Sequence, residues 1–285
     1  MTSPPPLSQS HEGARLHYNR DGEDRFYHRG WAGDDLYIGI GWFESDADSV
    51  YEACRRLVEK MAERLPHRGP GTRMLELGSG YGAAARYVAR ERGFQVDCLN
   101  LSDKQNQQNQ QRNDDQGLSE HIRITPGYFE NLSFAGDANY DVVWSQDAII
   151  HSPNKPQVFA EVNRVLKPGG DLVLVDVLQS AEGGRDDFVQ FIVNYFHLES
   201  LGSFDLYRQL AAEHGWQEIE VLDVTDQLVA HYQRLQHQLA QRYGELLDEF
   251  SAENLDGRKD RLQQWLMAGQ EGNLEWGLFH FRKSS

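Results

Sequence analysis

Lysine is scarce in this sequence. Of 285 residues only Lys60, Lys104, Lys155, Lys167, Lys259 and Lys283 carry it, and arginine supplies the rest of the 28 basic side chains. Against 44 acidic residues these leave a formal net charge of −16, which argues against a nucleic-acid surface built on general basicity. Cysteine is rarer still: Cys54 falls on a predicted helix and Cys98 on a predicted strand, neither followed by metal-ligand spacing. That excludes a disulfide-held mini-protein and leaves two buried thiols, as in a reducing compartment. No run approaches the ~18 apolar residues of a membrane span, and Met1 to Ser10 lacks the basic and apolar regions of a signal peptide. A cytoplasmic protein with a short loose tail and no membrane partner is the expectation. Also missing are a Ser-His-Asp arrangement at recognisable spacing, a cluster of metal ligands and a basic-aromatic stripe for nucleic acid, so neither metal nor nucleic acid is expected. What remains is an ordinary globular composition, 39 % hydrophobic and 25 % charged, in a chain long enough for one large α/β core. An acidic, lysine-poor surface suits a protein kept hydrated in strong brine, and equally an acidic cytosolic enzyme from a moderate habitat.

Hydrophobic periodicity lays out the chain. Val50, Cys54, Leu57, Val58, Met61 and Leu65 recur at helical spacing behind Asp48 or Ser49 as cap, and the connector Pro66 to Gly71 ends that helix. A strand over Arg73 to Leu77, a Gly-rich turn, a helix over Ala83 to Glu91 and a strand over Gln95 to Leu101 follow. This is the spacing of consecutive βαβ units, hence of a parallel sheet with helices on both faces. The Gln-Asn run from Gln105 to Gln111 sits where the next helix belongs, opened by Ser102, and its default reading is a solvated face. Strands are expected at Ile122 to Thr125, Tyr140 to Ser145 and Asp171 to Val177, the last preceded by a helix stopped at Leu166-Lys167-Pro168-Gly169-Gly170. Past Val177 the rhythm turns helical, at Asp186 to Leu198, Phe204 to His214, Gln227 to Phe250 and Asp260 to Ala268. Extended segments at Trp216 to Val224 and Leu274 to Arg282 complete the series. The expected organisation is a tail and flap (1–48), an α/β core (49–178), a helical lid with one core strand (179–272, strand 216–224) and a last core strand (273–285).

The strongest chemical signal is Glu76-Leu77-Gly78-Ser79-Gly80-Tyr81-Gly82, directly after the first strand and before a helix. Glycines there let the backbone turn tightly and approach a ligand at the point where open α/β sheets bind cofactors. The spacing fails the G-x-G-x-x-G dinucleotide fingerprint, which excludes a nicotinamide dehydrogenase, and it lacks the Gly-Lys-Ser/Thr of a phosphate-cradling loop. An acidic residue two positions before the first glycine suits a cationic or amine-bearing ligand.

Glu-x-Gly-x-Gly-x-Gly after strand one resembles the first motif of class I S-adenosylmethionine-dependent methyltransferases, as does the Leu-Lys-Pro-Gly-Gly turn before strand five. A narrower resemblance spans nearly the whole chain. Asp35-Leu36-Tyr37-Ile38-Gly39, Cys98-Leu99-Asn100-Leu101-Ser102, Trp144-Ser145-Gln146-Asp147-Ala148 with His151-Ser152-Pro153, Leu206-Tyr207-Arg208 and Gly277 to Lys283 resemble the sarcosine/dimethylglycine N-methyltransferases, which make the compatible solute glycine betaine. The resemblance implies a doubly wound, mostly parallel, seven-stranded Rossmann-like α/β sheet with an N-terminal flap and a helical lid. It implies S-adenosylmethionine as cofactor and a small-molecule amine as partner, and it leaves monomer or homodimer open. Related scaffolds also methylate oxygen and carbon in small molecules, and a cofactor-binding protein without turnover is the reading from another class.

Roles follow by position. The resemblance puts Gly78 and Gly80 against the methionine part of the cofactor, with Glu76 near its amino group and Gln146 offering a carbonyl to the same ammonium. Where relatives usually clamp the ribose with a carboxylate, this chain has Asn100, which with Gln105 would hydrogen-bond the ribose more weakly. In place of an Asp against the adenine amino group stand Tyr128 and Phe129, implying stacking or backbone contacts. Tyr18, Tyr27 and Tyr37 belong to the flap. Methyl transfer needs an unprotonated amine aligned with a sulfonium methyl and shielded from water. Candidates for taking or orienting the proton are His151, Asp147 and Asp176, with Tyr18 or Tyr27 above. Positioning and desolvation can supply ~7–11 kcal/mol, so a dedicated base is not required. Aromatic faces for a quaternary nitrogen are expected from Trp31, Trp42, Tyr37, Trp144 and Tyr195. Arg208 is the candidate for the substrate carboxylate.

Overall fold

The computed structural model describes residues 7–20, 22–30, 33, 35–181 and 186–285. Its sheet contains β1 (Arg73–Leu77), β2 (Gln95–Asn100), β3 (Ile122–Pro126), β4 (Tyr140–Gln146), β5 (Leu166–Gln179), β6 (Gln217–Asp223) and β7 (Leu274–Arg282), in the order β3-β2-β1-β4-β5-β7-β6. Neighbours pair in parallel except for β7, which runs antiparallel to both β5 and β6. The side-chain period of two sends Met74, Val142, Trp144, Val173 and Leu278 to one buried cluster, and Leu75, Leu77, Val143, Leu172 and Leu174 to another. Helices α3 (Val50–Glu63) and α4 (Ala83–Arg92) join the first cluster, and α6 (Lys155–Val165) and α8 (Phe204–Glu213) the second. The result is the three-layer, mostly parallel α/β sheet expected.

Residues 1–6 of the expected loose tail lie outside the described residues, and from Ser8 onward the chain is capped into a helix. Helix α1 (Gln9–Tyr18) starts behind Ser8, whose hydroxyl accepts from His11 N while Ser8 N donates to His11 Nδ1, both at 3.2 Å. A second helix, α2 (Glu23–Gly30), follows. Hydrophobic periodicity misses α1 because its buried residues are Ser10, His11, Gly13, Ala14 and His17. The helix α5 (Asp103–Asp115) is where the sequence expects a solvated Gln-Asn face; Gln105, Asn106, Asn109 and Asn113 are instead buried, at helical spacing, among other polar groups. The Pro-Gly-Gly segment lies just past its helix: α6 stops at Val165, and β5 takes in Leu166 to Gly170 as an irregular start, with the register shifting between Tyr140 and Val142 of β4.

Beyond β5 come α7 (Asp186–Phe196), α9 (Thr225–Leu246) and α10 (Ala252–Gln270), the last extending well past the Asp260 to Ala268 expected. Ser251 caps α10 by accepting from Asn254 N. Helices α9 and α10 pack on each other, while α7 touches α1 and α10. No helix among the described residues is long and apolar enough to cross a membrane.

Candidate active site

The carboxyl ends of β1 to β4 open on a cavity of about 1090 Å3, counted out to its mouth. It lies at the switch point of the sheet, where β1 and β4 are neighbours and the connections diverge. Gly78 and Gly80 turn through it at φ +78° and +52°. Gly78 is also fixed by contact, since a Cβ there would lie 2.3 Å from that of Ala148. The turn is pinned from behind by Gly78 N and Ser79 N, which donate to Leu99 O at 2.8 and 3.2 Å.

Glu76 lies on the wall of this cavity, 4 % exposed. Burial pushes its carboxyl up to about 8, although the Cys98 thiol donates to it at 3.6 Å and the Arg86 charge opposes the shift. It forms no ion pair among the described residues, and Ser79 Oγ beside it in the chain is buried without a partner. A buried carboxyl with no ion pair among the described residues, beside a buried hydroxyl on the same cavity wall, fits a ligand that brings an ammonium group. Around the same cavity stand Tyr37, Asn100, Gln105, Tyr128, Phe129 and Gln146. Asn100 Nδ2 donates to Gln105 Oε1 at 3.1 Å, and Trp144 Nε1 to Gln146 Oε1 at 3.2 Å. Of the residues expected around the cofactor, Tyr27 alone faces elsewhere, into a neighbouring cavity.

That second cavity, about 990 Å3 to its mouth, shares Tyr18, Ile38, Gly39, Ile40, Asp147 and His151 with the first. Tyr18 comes from the end of α1 and His151 from a 3-10 turn, Ile149–His151, after β4; the Tyr18 hydroxyl and His151 Nε2 are 3.0 Å apart. Burial, with the nearby Lys155 charge, lowers His151 to about 3, so the ring is neutral at ordinary pH. Asp147 sits in the left-handed region at φ +50°. Its Oδ1 accepts from Trp276 Nε1 at 2.7 Å and its Oδ2 from Ile40 N at 3.1 Å. Burial outweighs these donors and raises its carboxyl to about 6.

The other expected residues are dispersed. Asp176 reaches neither cavity: it is fully buried, accepting from Tyr207 Oη at 2.6 Å and from Ile150 N at 3.2 Å, and burial raises it to about 7. It therefore anchors the 3-10 turn that carries His151. Tyr195 faces the second cavity. Trp144 is wholly buried in the core, and Trp42 packs half-buried against it. Trp31 lies outside the described residues. Arg208 is on the outer face of α8, paired with Glu218 at 3.1 Å, both side chains about half exposed at 44 % and 45 %. Helix direction, which residue spacing does not resolve, puts it away from both cavities.

Several lining residues have no signature in the sequence. His11 of α1 faces the first cavity, its Nε2 3.0 Å from Glu130 Oε2. Arg258 and Arg261 of α10 face the second, with Phe196, Tyr232 and Trp265. The i, i+3 spacing of the two arginines, continued to Trp265 at i+7, was the available signal.

Residues 75–174 match a family model described as a methyltransferase domain. The chain is 42 % identical to a sarcosine/dimethylglycine N-methyltransferase of Aphanothece halophytica, over 95 % of this chain and 96 % of the other. It is 38 % identical to one of Halorhodospira halochloris, over 96 % and 97 %. A crystal structure assigned as a sarcosine dimethylglycine methyltransferase, from Galdieria sulphuraria, superposes with a TM-score of 0.84 at 36 % identity, covering 93 % of this chain and 99 % of that one.

Proposed function

This chain belongs to the family of the sarcosine/dimethylglycine N-methyltransferases, and on that premise we propose that it methylates sarcosine and dimethylglycine with S-adenosylmethionine, yielding glycine betaine. When bound, the cofactor supplies an electrophilic sulfonium methyl. Glu76, Ser79 and Gln146 would hold its amino-acid end, Gly78 and Gly80 would let it lie against the backbone, Asn100 and Gln105 would meet the ribose, and Tyr128 and Phe129 the adenine. The observation that carries the reading is the meeting of two cavities at Tyr18, Asp147 and His151, one with an unpaired buried carboxyl, the other walled by aromatic rings.

The acceptor amine, an alkyl ammonium with a pKa near ~10, must lose a proton before attack. Asp147 is the group best poised to take it: it faces both cavities, and its carboxyl is raised toward neutrality while remaining largely ionised at pH 7. His151 is too weak a base for that task; its neutral ring holds the Tyr18 hydroxyl at the boundary, where it can orient the nitrogen lone pair. Asp176 acts one step back, by fixing Ile150. Faces of Tyr195, Tyr232 and Trp265 suit a nitrogen gathering methyl groups and ending quaternary.

Helices α7 to α10 form the lid of a single catalytic domain in this reading, and the enzyme works in the cytoplasm. A net charge of −16 and a compatible-solute product point to the same saline conditions. The test is S-adenosylhomocysteine release with glycine, sarcosine and dimethylglycine in turn, at low and molar salt. Turnover of the two methylated amines is expected, and none with either would end the reading.

A further inference from the structure

We propose that Arg261 on α10 receives the substrate carboxylate in the second cavity, and is the residue by which this enzyme distinguishes an amino acid from a simple amine. The proposal rests on the function set out above and adds the anchor that function lacks, Arg208 being on the outer surface.

Among the described residues, few charges face the second cavity. Asp147 supplies the negative one, on the wall shared with the first cavity. His17 and His231 are neutral: burial lowers them to about 4 and about 3. The positive charges are the guanidinium groups of Arg258 and Arg261, one helical turn apart. Arg258 is engaged by the protein, lying 3.7 Å above the Phe26 ring and donating through Nε to Asn254 Oδ1 at 2.9 Å. Arg261 lies 5.3 Å from the centroid of Tyr195 and pairs with no carboxylate among the described residues. Arginines elsewhere in the fold meet acids, as Arg56 meets Asp48 and Arg68 meets Asp171. A half-buried guanidinium stacked on an aromatic ring and left without an anion is a receptor for one, with the planar fork that suits a carboxylate. Its charge is felt along the wall, since it contributes to the lowering of His17.

Sarcosine and dimethylglycine are zwitterions with one carbon between nitrogen and carboxylate. A site with Asp147 and Tyr18 at the transfer boundary, Arg261 facing the same space and aromatic rings lining it accommodates both charges of that class and discriminates against amines with only one.

The test compares dimethylglycine with its neutral isostere, N,N-dimethylglycinamide, in the full chain. Wild type should prefer the acid. Arg261→Gln should raise KM for the acid about 10- to 100-fold, the worth of a charge-assisted hydrogen bond, with kcat little changed and the amide unaffected, so that the preference collapses. Calorimetric binding of S-adenosylhomocysteine, unchanged, would show the variant folded. Should Arg261→Gln fail to fold, Arg261→Lys carries the same comparison: a smaller KM rise for the acid and none for the amide. An acid-to-amide preference that survives Arg261 substitution, or that collapses on Arg258→Gln alone, overturns the proposal while leaving the proposed function standing. A wild-type enzyme that methylates neither compound overturns both.

Discussion

Glu76 should couple cofactor binding to pH, and its replacement should make the ligand-free protein sturdier and the enzyme worse. Below an ordinary carboxyl value of 4.5 this side chain is protonated in folded and unfolded chains alike. Between 4.5 and about 8 the unfolded chain ionises while the folded one resists, so stability falls as pH rises through that window and levels off above it. At about 1.4 kcal/mol per pH unit the loss amounts to several kcal/mol, the order expected for a 4 %-exposed carboxyl without an ion pair. Glu76→Gln removes the ionisation. Its denaturant midpoint without ligand should equal that of wild type near pH 4.5 and exceed it at pH 8.5. Cofactor binding should show the converse. At pH 7 roughly nine in ten wild-type molecules hold the proton, so an ammonium group arriving at Glu76 should expel nearly one proton per site. Titration calorimetry in two buffers of different ionisation heat reads that directly. The proton should vanish in Glu76→Gln, along with at least tenfold in affinity. A variant less stable than wild type at pH 8.5, or wild-type binding without proton release at pH 7, would refute the assignment of Glu76 as an unpaired, ligand-awaiting carboxyl.

Arg208→Ala should leave kcat and KM for dimethylglycine unchanged and move the melting midpoint by no more than a surface ion pair warrants, ~0–1 kcal/mol. Gly78→Ala sets a side chain 2.3 Å from Ala148 at a positive φ, and should cost ~1–3 kcal/mol in denaturant melts while weakening cofactor binding. Gly244→Ala, inside α9 with open space around it, should instead gain ~0.5–1 kcal/mol. Tyr207→Phe strips Asp176 of its 2.6 Å donor and should cost ~1–3 kcal/mol. That loss should be larger at pH 8 than at pH 5, because Asp176 ionises near 7 and the lost hydroxyl served its charged form best.

Which parts of the protein the sequence discloses depends on how local their causes are. The limits of β1 and β7 are legible because an alternating or continuous apolar run ends at a turn residue. The Gly-rich turn is legible because its backbone conformations demand glycine at fixed offsets. Helix α1 is not, since Ser10, His11 and His17 carry no apolar signal to mark a buried face, and His11 meets its partner Glu130 only across the fold. The amide face of α5 is invisible for the same reason: Asn109 and Asn113 are buried against Arg86, a contact of distant origin in the chain. Among so many arginines, spacing says little about which one faces a cavity; that depends on the phase of α10 against α7 and α9, fixed by packing of Leu255, Leu262 and Trp265. Asp147 and His151 are different again, being named by motif yet given their distinct chemistries only by burial.

Tyr18, at the end of α1, and His151 wall both cavities at once. One wall thus serves two rooms. If the first cavity takes the cofactor and the second the amine, an opening of this shared wall that frees the spent cofactor would also expose the amine. Conversion of sarcosine to betaine in two rounds should therefore be distributive, with dimethylglycine accumulating in bulk solution and competing with fresh sarcosine for re-entry.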